Sequence, residues 1–259
     1  MKIILATDFS SANEALSHYA IDFLRGKEGS LILFHVYEDE EDYEEAKGKM
    51  DSTVNMLSEF GGVNVVPVLV EGDPEKAILD LIEKEHADLV LMGTRGRGNK
   101  LFLEGSLSRK LTSVSPVPLL SIHEDYKYRP NSEVLFVTNF DANDASIIRR
   151  MFSLLNAYEP HLHVIHFIID GDPAKAAKQL QELKDAVGQT DFSDHITYGM
   201  IFATEARDTM RTYCDNNDIS LVAFVPRAWH VSDIFFKDRV VNSDFYNLHL
   251  PLLSFRNEE

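Results

Sequence analysis

A chain of 259 residues is long enough for two domains of ordinary size, and an apolar fraction of 44% supplies cores for both. A formal charge of −17 opposes binding to nucleic acid or to an anionic membrane surface, and no Lys/Arg block offsets it. A single cysteine excludes an internal disulfide framework, no apolar run nears the roughly 18–20 residues of a bilayer span, and Asp8 interrupts the first apolar stretch too early for a signal peptide, so the cytoplasm is the expected compartment.

In chain order, Ile3-Ile4-Leu5-Ala6 reads as a strand that ends in Thr7-Asp8-Phe9-Ser10. Ala12 to Leu24 follows as a helix with Ala15, Tyr19, Ala20 and Phe23 at helical spacing, and Ser30 to Tyr37, holding Leu33-Phe34-His35-Val36, returns as a strand. A helix is expected over 42–60 and a strand over Val63 to Val70. Gly72-Asp73-Pro74 then starts a helix whose Ala77, Ile78, Leu81 and Ile82 face the core. Leu89-Val90-Leu91-Met92 is a short apolar run closed by Gly93, the mark of a strand buried on both faces. Beyond it, Gly93 and Gly96 let backbone N–H groups approach an anion with no Cβ in the way. Gly105-Ser106 opens a helical pattern of Leu107, Lys110, Leu111 and Val114, where free N–H groups and the helix dipole favour phosphate. Pro116-Val117-Pro118-Leu119-Leu120-Ser121-Ile122 closes this half as a strand. Alternating strands and helices predict an α/β fold with right-handed crossovers. Ligands in such open sheets sit beyond the carboxyl ends of strands, where Asp8, Val36 and Gly93 converge.

The pattern then starts again. Glu133-Val134-Leu135-Phe136-Val137-Thr138-Asn139-Phe140 aligns with Lys2 to Phe9, and His163 to Phe167 aligns with Ile32 to Val36. Leu221 to Ala228 aligns with Leu89 to Gly96, and Leu250 to Phe255 aligns with Val117 to Ile122. An offset held at 131 to 133 residues over four strands is a tandem duplication, giving domains 1–125 and 131–259 across a polar linker that ends in Pro130-Asn131. The second copy lacks the candidate chemistry of the first: Asp8 becomes Asn139, Gly93 becomes Val225, Gly96 becomes Ala228, Gly105 becomes Asp238 and Ser106 becomes Arg239. One ligand per chain is the expectation.

Gly93, Gly96, Gly105 and Ser106, with the opening strand and Asp8, resemble the universal stress protein family, whose signature is Gly, two residues, Gly, nine residues, Gly, then Ser or Thr. The interval from Gly96 to Gly105 holds eight residues here, one fewer than that signature. The resemblance covers residues 1 to about 123. It implies two tandem open, mainly parallel sheets flanked by helices, Rossmann-like and of the adenine-nucleotide α-hydrolase type, paired about a pseudo-two-fold axis through the terminal strands Val117–Ile122 and Leu250–Phe255. The implied ligand is an adenine nucleotide, with ATP favoured and Mg²⁺ as an optional companion. Asp8 is implied at the ribose or base, Val36 offers backbone hydrogen bonds to adenine, and Gly93, Gly96, Gly105 and Ser106 hold the phosphates, with Thr7, Met92, Arg95 and Leu107 in the same site. Arg95 and Arg97 either pair with phosphates or balance surface carboxylates, and Asp8 also suits a capping role. The implied role is sensing in a stress response by an intramolecular pseudo-dimer, with further homodimerisation open. Two other classes compete: a slow ATP hydrolase or phosphotransferase, for which no general base or positioned nucleophile is visible, and a ligand-free interaction module.

Three features carry bland readings. The acidic run Glu38 to Glu45 lacks the spacing and central Gly of a calcium loop and reads as a solvated segment entering a helix. His161 and His163 share a strand face that His166 does not, and the match of His166 to His35 assigns it to the fold rather than to a metal. Cys214 falls on a core-facing helix stripe and reads as a small buried hydrophobe. No G-x-S-x-G, H-E-x-x-H or Walker lysine motif is present.

Overall fold

Strands that are apolar on both faces require helices on both sides, and this requirement organises each half of the computed structural model. The structure describes residues 1–9, 13–61, 63–93, 107–123, 126–129, 132–168, 172–202, 206–226 and 250–256. The chain divides into two units, Met1–Tyr128 and Arg129–Glu259.

The first unit runs β1 (Lys2–Ala6), α1 (Asn13–Leu24), β2 (Ser30–Tyr37), α2 (Tyr43–Gly61), β3 (Asn64–Glu71), α3 (Pro74–Glu85), β4 (Leu89–Gly93), α4 (Leu107–Val114) and β5 (Leu119–Ile122). Its sheet is parallel in the order β3-β2-β1-β4-β5, so the chain steps outward from β1 to β3 and then crosses back to β4. Ile4, Ile32, Phe34, Val90, Met92 and Leu119 form one face of the core against Ile78, Leu81 and Ile82 of α3 and Leu111 of α4. α1 packs on β1 and β4, and α2 on β2 and β3, burying Leu16, Tyr19, Phe23, Met50 and Leu57.

Local chemistry sets the ends of these elements. Asp73 accepts a hydrogen bond from Lys76 N at 2.8 Å, and Pro74 fills the first helical position with a residue that has no N–H to satisfy, so α3 starts there. Glu40–Asp42 forms a short 3-10 turn capped by Asp39, and α2 starts at Tyr43. Residues 38–42 are all exposed, which keeps their like charges in water. In α4 the buried face differs from the expected stripe. Val114 is 45% exposed, whereas Ser108 and Thr112 are buried, and the Thr112 hydroxyl is satisfied by donating to Ser108 O at 2.7 Å. β3 is outermost in its sheet and carries Pro67 in mid-strand, a residue that edge strands tolerate.

The second unit runs β6 (Glu133–Val137), α5 (Asp144–Leu155), β7 (His161–Ile168), α6 (Pro173–Val187), β8 (Ile196–Phe202), α7 (Ala206–Asn216), β9 (Leu221–Phe224) and β10 (Leu252–Ser254). Its parallel order, β8-β7-β6-β9-β10, repeats that of the first unit. Leu135, Val137, Ile165, Val222 and Phe224 pack against Met210 and Cys214 of α7. The outermost strand β8 carries no charged residue; a Cβ at Gly199 would stand 2.9 Å from Ile165 Cδ1, and Phe202 is 66% exposed.

The two units resemble each other most closely at the turn after the first strand of each. Thr7 N donates to Phe34 O at 2.9 Å, and Thr138 N to Ile165 O at 3.1 Å. Phe9 and Phe140 both adopt left-handed backbone, φ 60° and 59°, and each N–H donates to the preceding threonine hydroxyl at 2.8 Å. A histidine closes each turn: His35 Nδ1 lies 2.7 Å from Thr7 O, and His166 Nδ1 lies 2.8 Å from Thr138 O. Because a carbonyl only accepts, Nδ1 carries the proton in both rings.

Candidate functional site

The unequal lengths of β1 and β2 create the site. β1 ends at Ala6 and its last contact to β2 is the Thr7 N–H bond to Phe34 O, whereas β2 continues to Tyr37. Backbone groups in a parallel ladder alternate sides, so the N–H and C=O of Val36, two residues beyond Phe34, point toward the space that β1 has vacated. β4 likewise stops at Gly93, and α3 and α4 start beside it. The resulting cleft is lined by Ala6, Thr7, Asp8, Phe34, His35, Val36, Pro74, Met92, Gly93 and Leu107, with an empty volume of about 550 Å³ open to solvent.

Of the residues singled out from the sequence, Thr7, Asp8, Val36, Met92, Gly93 and Leu107 meet around this one cleft. Arg95, Gly96, Gly105 and Ser106 lie outside the described residues, as do Arg97, Ala228, Asp238 and Arg239. His35 and Pro74 had been read as parts of the fold, yet both line the cleft. The His35 ring lies 4.5 Å from that of Phe9 and ties Thr7 to β2, so it holds the turn that presents Asp8. Its recurrence as His166 was the available signal. Pro74 starts α3 at the rim, and the next residue, Glu75, accepts a hydrogen bond from Lys110 of α4 at 2.8 Å. The hydrogen bond to Glu75, its charge and that of Asp73 raise the Lys110 pKa, so the ammonium remains charged. At the far end of β2, loss of solvation raises the Tyr37 pKa, followed by the charges of Glu71, Tyr43 and Glu40.

The corresponding positions of the second unit hold bulkier groups. Phe167 stands at the position of Val36 and packs edge-on to Tyr213 at 6.2 Å, and Val225, at the position of Gly93, is buried. The wholly buried Asp144 accepts from the Thr138 hydroxyl and, at 2.8 Å, from Asp141 N. Among the described residues, no group of three or more His, Cys, Asp or Glu side chains is arranged to hold a metal. His161 bonds Thr197 at 2.8 Å, and His163 is held between Glu133 and Tyr213, each at 2.8 Å. Cys214 is buried, and loss of solvation, aided by Asp215, pushes its thiol up to about 12.

A parallel sheet with a cleft at the reversal of strand order is the ligand-binding architecture of open α/β proteins. The family model for the universal stress protein family matches residues 1–123. A universal stress protein of Thermus aquaticus is 34% identical over 133 residues, covering 46% of this chain and 96% of the relative. Another, from Methanocaldococcus jannaschii, is 27% identical over 152 residues, covering 47% of this chain and 93% of its own. The chain belongs to the universal stress protein family. The fold of the whole chain is similar to that of a universal stress protein from Archaeoglobus fulgidus, with a TM-score of 0.72 at 17% identity, covering 100% of this chain and 97% of that one. A second solved structure, a putative universal stress protein from Pseudomonas aeruginosa, gives 0.63 at 14% identity over 98% and 92%. Among the described residues, no helix is long and apolar enough to cross a membrane.

Proposed function

We propose that the cleft of the first unit binds an adenine nucleotide, ATP in preference, and that the protein uses this site as a sensor in the cytoplasmic stress response. The observation that carries the reading is the backbone of Val36, running past the end of β1 into a cleft that also gathers Thr7, Asp8, Met92, Gly93 and Leu107. An edge of N–H and C=O groups matches the donor and acceptor edge of adenine, and Asp8 at the adjoining strand end matches a ribose hydroxyl. In this reading Gly96, Gly105 and Ser106 hold the phosphates, with Mg²⁺ as an optional counter-ion, and Arg95 adds positive charge.

The second unit is a degenerate copy in the same reading. Phe167 puts a larger side chain where the first unit has Val36, and Val225 puts a buried side chain where it has Gly93, which supports one nucleotide per chain. Two measurements test the proposal. Nucleotide released by denaturing the purified protein is identified by mass spectrometry, and ATP is titrated calorimetrically into stripped protein with and without Mg²⁺. A single saturating site supports the reading; no binding of ATP, ADP or AMP overturns it. Fractionation of cells tests the compartment.

A further inference from the structure

Beside the cleft, an ion pair joins α3 and α4, the two neighbouring helices whose first residues line it. Pro74 and Leu107 line the cleft from the starts of α3 and α4. Glu75 directly follows Pro74, and Lys110 lies one turn beyond Leu107 on the same side of its helix. Their carboxylate and ammonium meet at 2.8 Å across 35 positions of sequence, with side chains 32% and 56% exposed. Lys110 lies in the middle of α4, and Glu75 of the neighbouring helix is its acidic partner.

We propose that Glu75 and Lys110 form an electrostatic latch on the cleft, in which Lys110 exchanges Glu75 for the anionic end of a phosphorylated ligand. This inference rests on the nucleotide reading above and adds to it a means of setting affinity by charge. While Lys110 is paired with Glu75, its charge is offset for an incoming phosphate, and the ligand must replace that partner. Removing the Glu75 charge frees the ammonium and strengthens binding of anions. Removing the Lys110 charge leaves Glu75 and Asp73 at the rim, where they repel an anion. A neutral nucleoside senses neither change. The pair is largely solvated, so the effects are those of surface charges, a few-fold in affinity, and they shrink as salt rises.

The test is calorimetric titration of ATP and of adenosine into the wild type, Glu75→Gln, Lys110→Gln and the double variant at low and at high salt. The latch requires Glu75→Gln to bind ATP about threefold more tightly at low salt and Lys110→Gln about threefold more weakly, with adenosine unchanged in both. It also requires the double variant to lose the gain seen in Glu75→Gln. A wild type that binds ATP beside a Glu75→Gln variant of equal or lower affinity and unaltered melting overturns the latch alone. Equal shifts for adenosine and ATP overturn it too, since they identify a change of shape and not of charge. A wild type that binds neither ligand overturns the nucleotide reading and the latch with it.

Discussion

Replacing Thr7 by Val, and separately Thr138 by Val, removes the same hydroxyl from the two equivalent strand-end turns, yet the two units should lose unequal amounts of stability. In the first unit the Thr7 hydroxyl accepts from Phe9 N at 2.8 Å in a partly buried setting. Loss of that bond costs about 1 kcal/mol. In the second unit Phe140 N is buried, and the Thr138 hydroxyl also donates to the fully buried Asp144 carboxylate. Thr138→Val therefore leaves a buried N–H unpaired, about 1–3 kcal/mol, and removes a charge-assisted bond worth roughly 1.5–3 kcal/mol, a total of roughly 2.5–6 kcal/mol. Hydrogen exchange read by mass spectrometry reports each unit separately: β1 and β2 peptides for one variant, β6 and β7 peptides for the other. Equal losses within about 0.5 kcal/mol, or a larger loss in the first unit, would refute the reasoning. Affinity for ATP should fall in Thr7→Val, which loosens the turn carrying Asp8, and stay at the wild-type value in Thr138→Val.

The folded-state pKa of Cys214, pushed up to about 12, exceeds the ordinary 9.0. The stability it contributes is therefore complete below pH 9 and declines as pH rises toward 12, by about 1.4 kcal/mol per unit; urea unfolding of the wild type and Cys214→Ala across that window should show the extra decline in the wild type alone. His35→Phe keeps an aromatic ring against Phe9 but removes the proton donated to Thr7 O, and a loss of about 1–3 kcal/mol in chemical denaturation is expected, with weaker ATP binding. Two glycines should respond in opposite directions to alanine in thermal melting. At Gly29 the new Cβ would stand 2.2 Å from Met1 O and 2.7 Å from Leu24 Cδ2, which destabilises; at Gly48, within α2, it meets nothing inside 4 Å and should stabilise by about 0.5–1 kcal/mol.

Much of the scaffold was readable because its signals are local or repeat. The apolar run Leu89–Met92, the Asp73-Pro74 helix start and the recurrence of Thr-x-Phe at 7–9 and 138–140 each identify an element without reference to distant residues. Asp8, Val36 and Gly93 could be assigned to one place because strand ends in an open sheet converge. What escaped depends on register and pairing. His35 joins the site through a bond to Thr7, 28 positions away, and Glu75 meets Lys110 across 35 positions. Composition records neither. The exposure of Val114 escaped for another reason: α4 has only eight residues, and its buried Ser108 and Thr112 carry no apolar signal in the sequence.

The edge strands β3 and β8 of the two units differ in a way that bears on how the protein behaves when concentrated. An unpaired strand edge is a template onto which another chain can add, and a proline within it interrupts the row of donors. β3 has such an interruption in Pro67, whereas β8, Ile-Thr-Tyr-Gly-Met-Ile-Phe, has neither proline nor charge and ends in the exposed Phe202. Among the described residues no strand pairs with the outer edge of β8, which makes it the expected starting point for self-association, and the net charge of −17 is the long-range force opposing it. Acidification toward the isoelectric point near 4.9 or heavy salting removes that repulsion, which makes mildly alkaline, low-salt buffer the condition for storing this protein at high concentration.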